Sequence, residues 1–341
     1  MEADSTTYDS SSKTNIEIVP FPASKGNLQL YLELTSKTSE KSQESQIVDR
    51  LQSFGLLPAS MRCFSNKPDC RLVCRPARVV DRMQWYCEGC SKRQPVRAGS
   101  FFLRLQCSLL QSLQMMLAWC EDADCTDASE HFGVKPKVAS LIYDKLDELA
   151  VKEQSKLRLG GENSVVLAEM YPDCLNRQSP DTTDQVHVHR MLMLADTNHI
   201  PTAYKIHVIK DDLKKQSASL INNQSLQVEV EEFVSRVTEP NSLLVTSATV
   251  PAVAGAASIQ QLSQHCDMDM QHFLNSRIWR QAVTLCSASR DLCTGLPSVL
   301  CASAVQRYLD TSLYRLRYGN CYRHLLNLVA AHYNDDEGSD N

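Results

Sequence analysis

Leu159-Gly160-Gly161-Glu162-Asn163-Ser164-Val165-Val166-Leu167-Ala168-Glu169-Met170 is where the chain changes its period. Upstream, apolar residues recur at helical spacing: Val138, Leu141, Ile142, Leu146 and Leu149 line one face of a helix predicted over 136–152. Downstream of the glycine pair come short, apolar, β-branched runs at Ser164–Met170, Val186–Leu194 and Thr202–Ile209. Their length and composition predict strands. A polar insertion over 210–227, a helix at Val228–Val237, a strand at Leu243–Thr246 and a helical stretch over 269–332 follow, with 247–263 unassigned. Strands and helices after a helical front half predict a mixed α/β chain.

Working outward from the glycine pair, the segment before it has the rhythm of a helix-turn-helix. A short helix at Thr126–Phe132 meets a turn at Gly133 and Val134, and the longer helix follows. In such modules the second helix lies in the DNA major groove. Lys135, Lys137, Ser140 and Lys145 are its expected exposed residues. Residues 106–160 nevertheless carry six Lys or Arg against nine Asp or Glu, an acidic balance for a DNA reader. An apolar helix is expected over 101–120, and a helical stretch over Asn27–Leu57 with Gly55 as its C-cap.

Residues 61–104 hold five cysteines and ten Lys or Arg against three Asp or Glu, so the basic footprint sits here. Cys87-Glu88-Gly89-Cys90 is a C-x2-C knuckle whose thiolates can share one tetrahedral ion. Cys63 and Cys70 complete the set, with Cys74 as a spare. One structural Zn²⁺ is expected, because so small a basic segment has little core of its own. Arg75, Arg78, Arg82, Lys92, Arg93 and Arg97 are the expected DNA contacts of this segment. The remaining cysteines, Cys301 among them, are expected to pack as small hydrophobes. His187 and His189 alternate on a predicted strand and form no metal site by themselves.

The expected division is a disordered tail over 1–26, an N-terminal helical segment over 27–60 and a zinc-ribbon-like segment over 61–100. A helix-turn-helix domain follows over 101–158, an α/β domain over 159–332 and an acidic tail over 333–341. Hydrophobic residues are 43% of the chain and charged residues 22%, so wholesale disorder is excluded. The net charge of −5 gives no global nucleic-acid signature. No run reaches the roughly 18 apolar residues of a membrane span, and Met1 to Lys13 lack the apolar stretch of a secretory signal. The 14 cysteines are therefore read in a reducing compartment.

The order of these parts resembles a known family. A helix ends in Phe54-Gly55-Leu56-Leu57, and a ribbon ends in Trp85-Tyr86-Cys87-Glu88-Gly89-Cys90. Then come Pro95-Val96-Arg97-Ala98-Gly99-Ser100-Phe101-Phe102, the helix-turn-helix, Leu159-Gly160-Gly161 before a strand, and Tyr308-Leu309-Asp310 ahead of Tyr314-Arg315-Leu316-Arg317-Tyr318. From about Leu28 to Tyr318 this is similar to the Merlin superfamily of DDE transposases. The resemblance implies an RNase H-like domain in which three carboxylates hold two Mg²⁺ ions for phosphodiester transfer. Its three acid positions fall here on Ala168, on Ser247 or Ala248, and on Ser276, three residues before Trp279. Glu169 adjoins the first position but is expected to face the other way.

These substitutions imply a domesticated, catalytically inactive transposase without catalytic Mg²⁺: a nuclear DNA- or chromatin-binding factor or scaffold with nuclear protein partners and a possible homodimer. Two alternatives stand beside it. One is an active Mg²⁺-dependent transposase or nuclease using displaced acids such as Glu169, Asp267 or Asp269. The other is a protein-interaction scaffold without DNA contact.

Overall fold

The helical front half and the stranded second half fold into two units. The computed structural model describes residues 19–65, 67–171, 189–209, 219–293 and 298–335. One unit holds the described residues up to Leu149 together with those from Asn320 onward, and the other spans Ala150–Gly319.

The first unit begins with α1 (Lys25–Thr35) and α2 (Gln43–Phe54), two helices where the sequence suggested one stretch. Ser42 caps α2 by accepting from Ser45 N, and Gly55 ends it at φ 84°, a left-handed turn that favours glycine. Ile47, Val48 and Leu51 are its buried stripe. Next come β1 (Leu72–Pro76), β2 (Met83–Cys87) and β3 (Arg93–Pro95). They form an antiparallel sheet in that order, Leu72 opposite Cys87 and Trp85 opposite Gln94.

Arg97 follows this sheet and decides what comes after it. Its guanidinium is buried, forms a two-pronged ion pair with buried Asp81, and donates to the carbonyls of Phe102, Leu105 and Cys107. Arg97 was expected to contact DNA; it is an internal strut instead. The apolar run from Phe101 was expected to be helical throughout. Residues 101–107 instead run as turns whose carbonyls at Phe102, Leu105 and Cys107 converge on Arg97. The helix α3 (Leu109–Cys120) starts only where Ser108 and Gln111 form a capping box.

Asp124 caps α4 (Cys125–His131), and Gly133 turns the chain at φ 62° into α5 (Pro136–Lys156). Val138, Ala139, Ile142, Leu146 and Leu149 are buried. Leu141 lies at the edge of their stripe and is exposed, against the expectation that it faces inward.

The second unit is a five-stranded sheet in the order β6 (Ala203–Val208), β5 (Met191–Asp196), β4 (Val165–Met170), β7 (Leu243–Thr246), β8 (Ala257–Ser258). The pairs β6–β5 and β5–β4 are antiparallel; β4–β7 and β7–β8 are parallel. On one face α6 (Ser219–Val237) packs Val230, Phe233 and Val234 against Val166, Ala168, Met170 and Leu194. On the other, α9 (Arg280–Ala288) and α10 (Ser298–Tyr318) pack Ala282, Cys286, Val305 and Leu309 against Leu167, Met193 and Val245. Between β8 and α9 lie α7 (Ile259–Ser263), α8 (Met268–His272) and a π-helical turn at Phe273–Arg277. Cys301, fully buried, is disulfide-bonded and so does more than pack.

The glycine pair sits where β4 must be entered sharply. Gly160 has φ 94°, and a Cβ there would lie 2.0 Å from Ser242 Oγ. Gly160 N donates to the fully buried Asp196 carboxylate, and Gly161 N to Ser242 Oγ.

Some expected boundaries move. The second strand begins at Met191, so His189 precedes it; His187 lies outside the described residues. Helix α6 starts at Ser219, inside the expected polar insertion, of which 210–218 is likewise outside them. Past Gly319, α11 (Cys321–Asp335) belongs to the first unit rather than to the α/β unit. Its apolar stripe of Tyr322, Leu325, Leu326 and Val329 is buried there, and Tyr322 N donates to Asn27 Oδ1.

Removing one member of a buried, fully hydrogen-bonded ion pair strands the other charge. Arg97→Ala is expected to lower unfolding stability by about 3–5 kcal/mol, read by urea denaturation. Arg97→Lys should recover little, because an ammonium cannot serve the same fork of acceptors. A loss within the scatter of surface substitutions would contradict this role.

Candidate functional site

Cys63 and Cys70 flank a turn ahead of β1, Cys87 ends β2, and Cys90 lies in the turn to β3. Their four Sγ atoms all lie within 4.8 Å of one another, and all four thiols are free. The Cys63 and Cys90 sulfurs are 3.4 Å apart. Four thiolates around an ion at the usual ~2.3 Å would stand roughly 3.8 Å from each other, so the sulfurs can hold a metal ion with small adjustment. Cys74, the spare, faces Trp85 across the β1–β2 pair and is not part of the cluster.

Backbone geometry builds this cluster. A Cβ on Gly89 would fall 2.1 Å from the Asp69 carbonyl oxygen and 2.7 Å from its carbon. The two cysteine-bearing turns therefore pass main chain against main chain, which needs glycine at that point. Cys70 N donates to Lys67 O, closing the turn that makes the wide Cys63–Cys70 spacing usable. The thiols also perturb one another. Burial raises the pKa of Cys70, while a hydrogen bond with Ser65 lowers that of Cys90. A bound cation removes that conflict by holding all four as thiolates.

The segment that carries the cluster is basic. Of the ten Lys and Arg in residues 61–104, all but Arg97 are exposed. Exposed acids there are Asp69 and Glu88, since Asp81 is buried. Arg75 lies over the Tyr86 ring at 5.1 Å and pairs with Glu88, while Arg78, Arg82, Lys92 and Arg93 project from turns and strand ends. Lys135, just before α5, and Lys137 and Ser140 on it are exposed. Lys145 is not: its ammonium is half-buried, 3.3 Å from Phe101 O and 5.2 Å from that ring's centroid, and burial lowers its pKa.

Ala168, Ser247 and Ser276, the positions at which the resemblance calls for acids, all lie in the second unit. Ala168 is buried against the α6 face of the sheet. A carboxylate at 168 would be sealed in that core. Glu169, one residue on, faces the other side, where its carboxylate approaches the buried Trp279 indole. Ser247 follows β7 and donates its N–H to Ala168 O, which sets it beside Glu169 at the ends of two parallel strands. Ser276 lies on the π-helical turn one turn before Trp279, its hydroxyl 3.0 Å from His272 Nδ1. Glu169 thus lies on the Trp279 side of the sheet, and Ala168 on the side covered by α6. Strand alternation was visible in the sequence; which face met the tryptophan helix was not.

No protein-family model, curated protein or solved structure matches the chain.

Two outcomes follow from this geometry. Purified protein should carry one metal ion per chain by elemental analysis, and Cys87→Ser or Gly89→Ala should lose it; full metal retention in both would refute the cluster. Glu169 tests the second unit by pH. Burial raises its pKa, with the Trp279 indole partly offsetting the shift. The folded state therefore favours the protonated form, and that contribution is lost as pH rises through the folded pKa. Glu169→Gln should raise the thermal midpoint more at pH 7 than at pH 4, and the reverse order would contradict the burial.

Proposed function

We propose that this protein is a transposase-derived DNA- or chromatin-binding factor of the nucleus, held by one structural zinc, whose nuclease-type domain no longer cuts. The observation that carries the reading is the crowd of exposed cations in residues 61–104, the segment that holds the cysteine cluster, matched by only Asp69 and Glu88 among exposed acids there. Phosphate neutralisation by such a surface supplies sequence-independent affinity for nucleic acid. Four cysteine ligands favour zinc and leave no open coordination position, which fits a structural rather than catalytic ion.

The resemblance gains support from the second unit. Three antiparallel strands continued by two parallel ones, with helices on both faces, is an arrangement compatible with an RNase H-like sheet. The α4–Gly133–α5 turn, with Lys135 and Lys137 exposed, is compatible with a helix-turn-helix, though its acidic surroundings make it the lesser contact. Among the described residues no helix is long and apolar enough to cross a membrane.

Loss of catalysis rests on the acids. A two-metal centre needs several convergent carboxylates, and Ser247 and Ser276 supply none. Among the described residues, the four cysteines are the one group of three or more His, Cys, Asp or Glu placed to share an ion. A second reading, an active Mg²⁺-dependent enzyme, is favoured by one observation: Glu169 faces the helix bearing Ser276. Its other candidate acids are poorly suited, because Asp267 caps α8 through Met270 N and Asp269 lies in the first turn of that helix.

Fluorescence anisotropy of the full chain on duplex DNA across a salt series tests the binding. Lys92→Ala with Arg93→Ala should weaken binding and reduce the log–log salt slope by about 2. Salt-independent or absent binding would favour the DNA-free scaffold. A Mg²⁺-dependent nicking assay separates the two nuclease readings: robust cleavage abolished by Glu169→Ala would establish the enzyme.

A further inference from the structure

We infer that the tip of the β1–β2 hairpin, residues 77–82, is a wedge that enters the minor groove of duplex DNA and opens a base step. This rests on the DNA-binding reading above and names the part of the surface that does more than neutralise phosphate.

The tip carries two adjacent valines that no core uses. Val79 is 43% and Val80 68% exposed, and they stand between exposed Arg78 and Arg82. β-branched residues are poor turn formers, so local folding does not account for them. The tip is also fixed in place. Ala77 N donates to Arg82 O at 2.8 Å, Arg82 N donates to Val79 O at 3.0 Å, and Arg82 takes a left-handed φ of 56°. Between the valines and Arg82, Asp81 turns inward to the buried Arg97, whose guanidinium is bonded to the carbonyls of Phe102, Leu105 and Cys107.

That inward ion pair has two effects on the tip. It anchors the loop through the core, so the valines are presented by a braced turn. It also withdraws the loop's one acid from the surface, leaving a tip of two valines and two arginines. Minor-groove proteins that kink DNA combine apolar wedges with Arg or Lys, the wedge unstacking a step while the cations hold the groove and phosphates. Charge complementarity commits the occupant: exposed Arg78 and Arg82 flank the valines on a tip with no exposed acid. A bilayer would call for a larger apolar face than two valines offer.

The test uses full-length, metal-loaded protein and an end-labelled 30-base-pair duplex, perfect or with a two-nucleotide bulge, read by anisotropy and by end-to-end energy transfer. Wild type should shorten the end-to-end distance and prefer the bulged duplex, whose unstacking is already done. Val79→Ser with Val80→Ser should abolish the bend and the preference and lower affinity about tenfold, while keeping the salt slope. Arg78→Ala with Arg82→Asn, the asparagine chosen because it tolerates left-handed φ, should reduce that slope by about 2. Thermal midpoints unchanged from wild type confirm that both variants fold.

Binding with bend and preference unchanged in the valine variant would overturn the wedge and leave the DNA reading standing. Absence of duplex binding by wild type would overturn both. Valine-dependent capture by phosphatidylcholine–phosphatidylserine vesicles, without DNA bending, would replace the wedge with a lipid contact.

Discussion

The buried pair of Arg97 and Asp81 is the constraint on which the first unit is arranged. One guanidinium meets one carboxylate and three main-chain carbonyls, which leaves little of either charge unanswered. A pair this enclosed is costly to desolvate and is tolerated only when so completely bonded. It joins a hairpin loop, the chain after β3 and the entry to α3, three pieces far apart in local structure. It also gathers the turn that leads into α3, whose start is fixed by the Ser108–Gln111 capping box.

This is where sequence reading met its limit. Arg97 stands in a run of basic residues and looks like Arg93 or Lys92; only its tertiary partner distinguishes it. The same holds for Lys145, whose ammonium finds the Phe101 carbonyl across forty-odd positions. What was legible had local causes. Gly55 ends α2 because a left-handed turn needs glycine, Gly160 enters β4 for the same reason, and the strand composition around Val165 and Leu243 is self-evident. The cysteine cluster was legible from the C-x2-C knuckle. The role of Gly89 was not, because it depends on the main chain of Asp69 arriving from another turn.

The α/β unit shows how one register step redistributes chemistry. Alternation along β4 puts Val166, Ala168 and Met170 under α6 and leaves Leu167 and Glu169 toward Trp279. A sheet covered on both faces hides this choice, since β5 is buried at every position and gives no polar alternation to read.

Helix α11 has a consequence of a different kind. Tyr322, some three hundred residues after Asn27, donates to its side chain and to the carbonyl of Leu113 through its hydroxyl. The first unit is therefore assembled from both ends of the described chain. During synthesis α11, which completes the first unit, follows the whole of the contiguous α/β unit. Contacts of such long separation are slow to close, and the apolar stripe awaiting α11 is uncovered until then. A stripe left uncovered in this way is prone to aggregation while it waits.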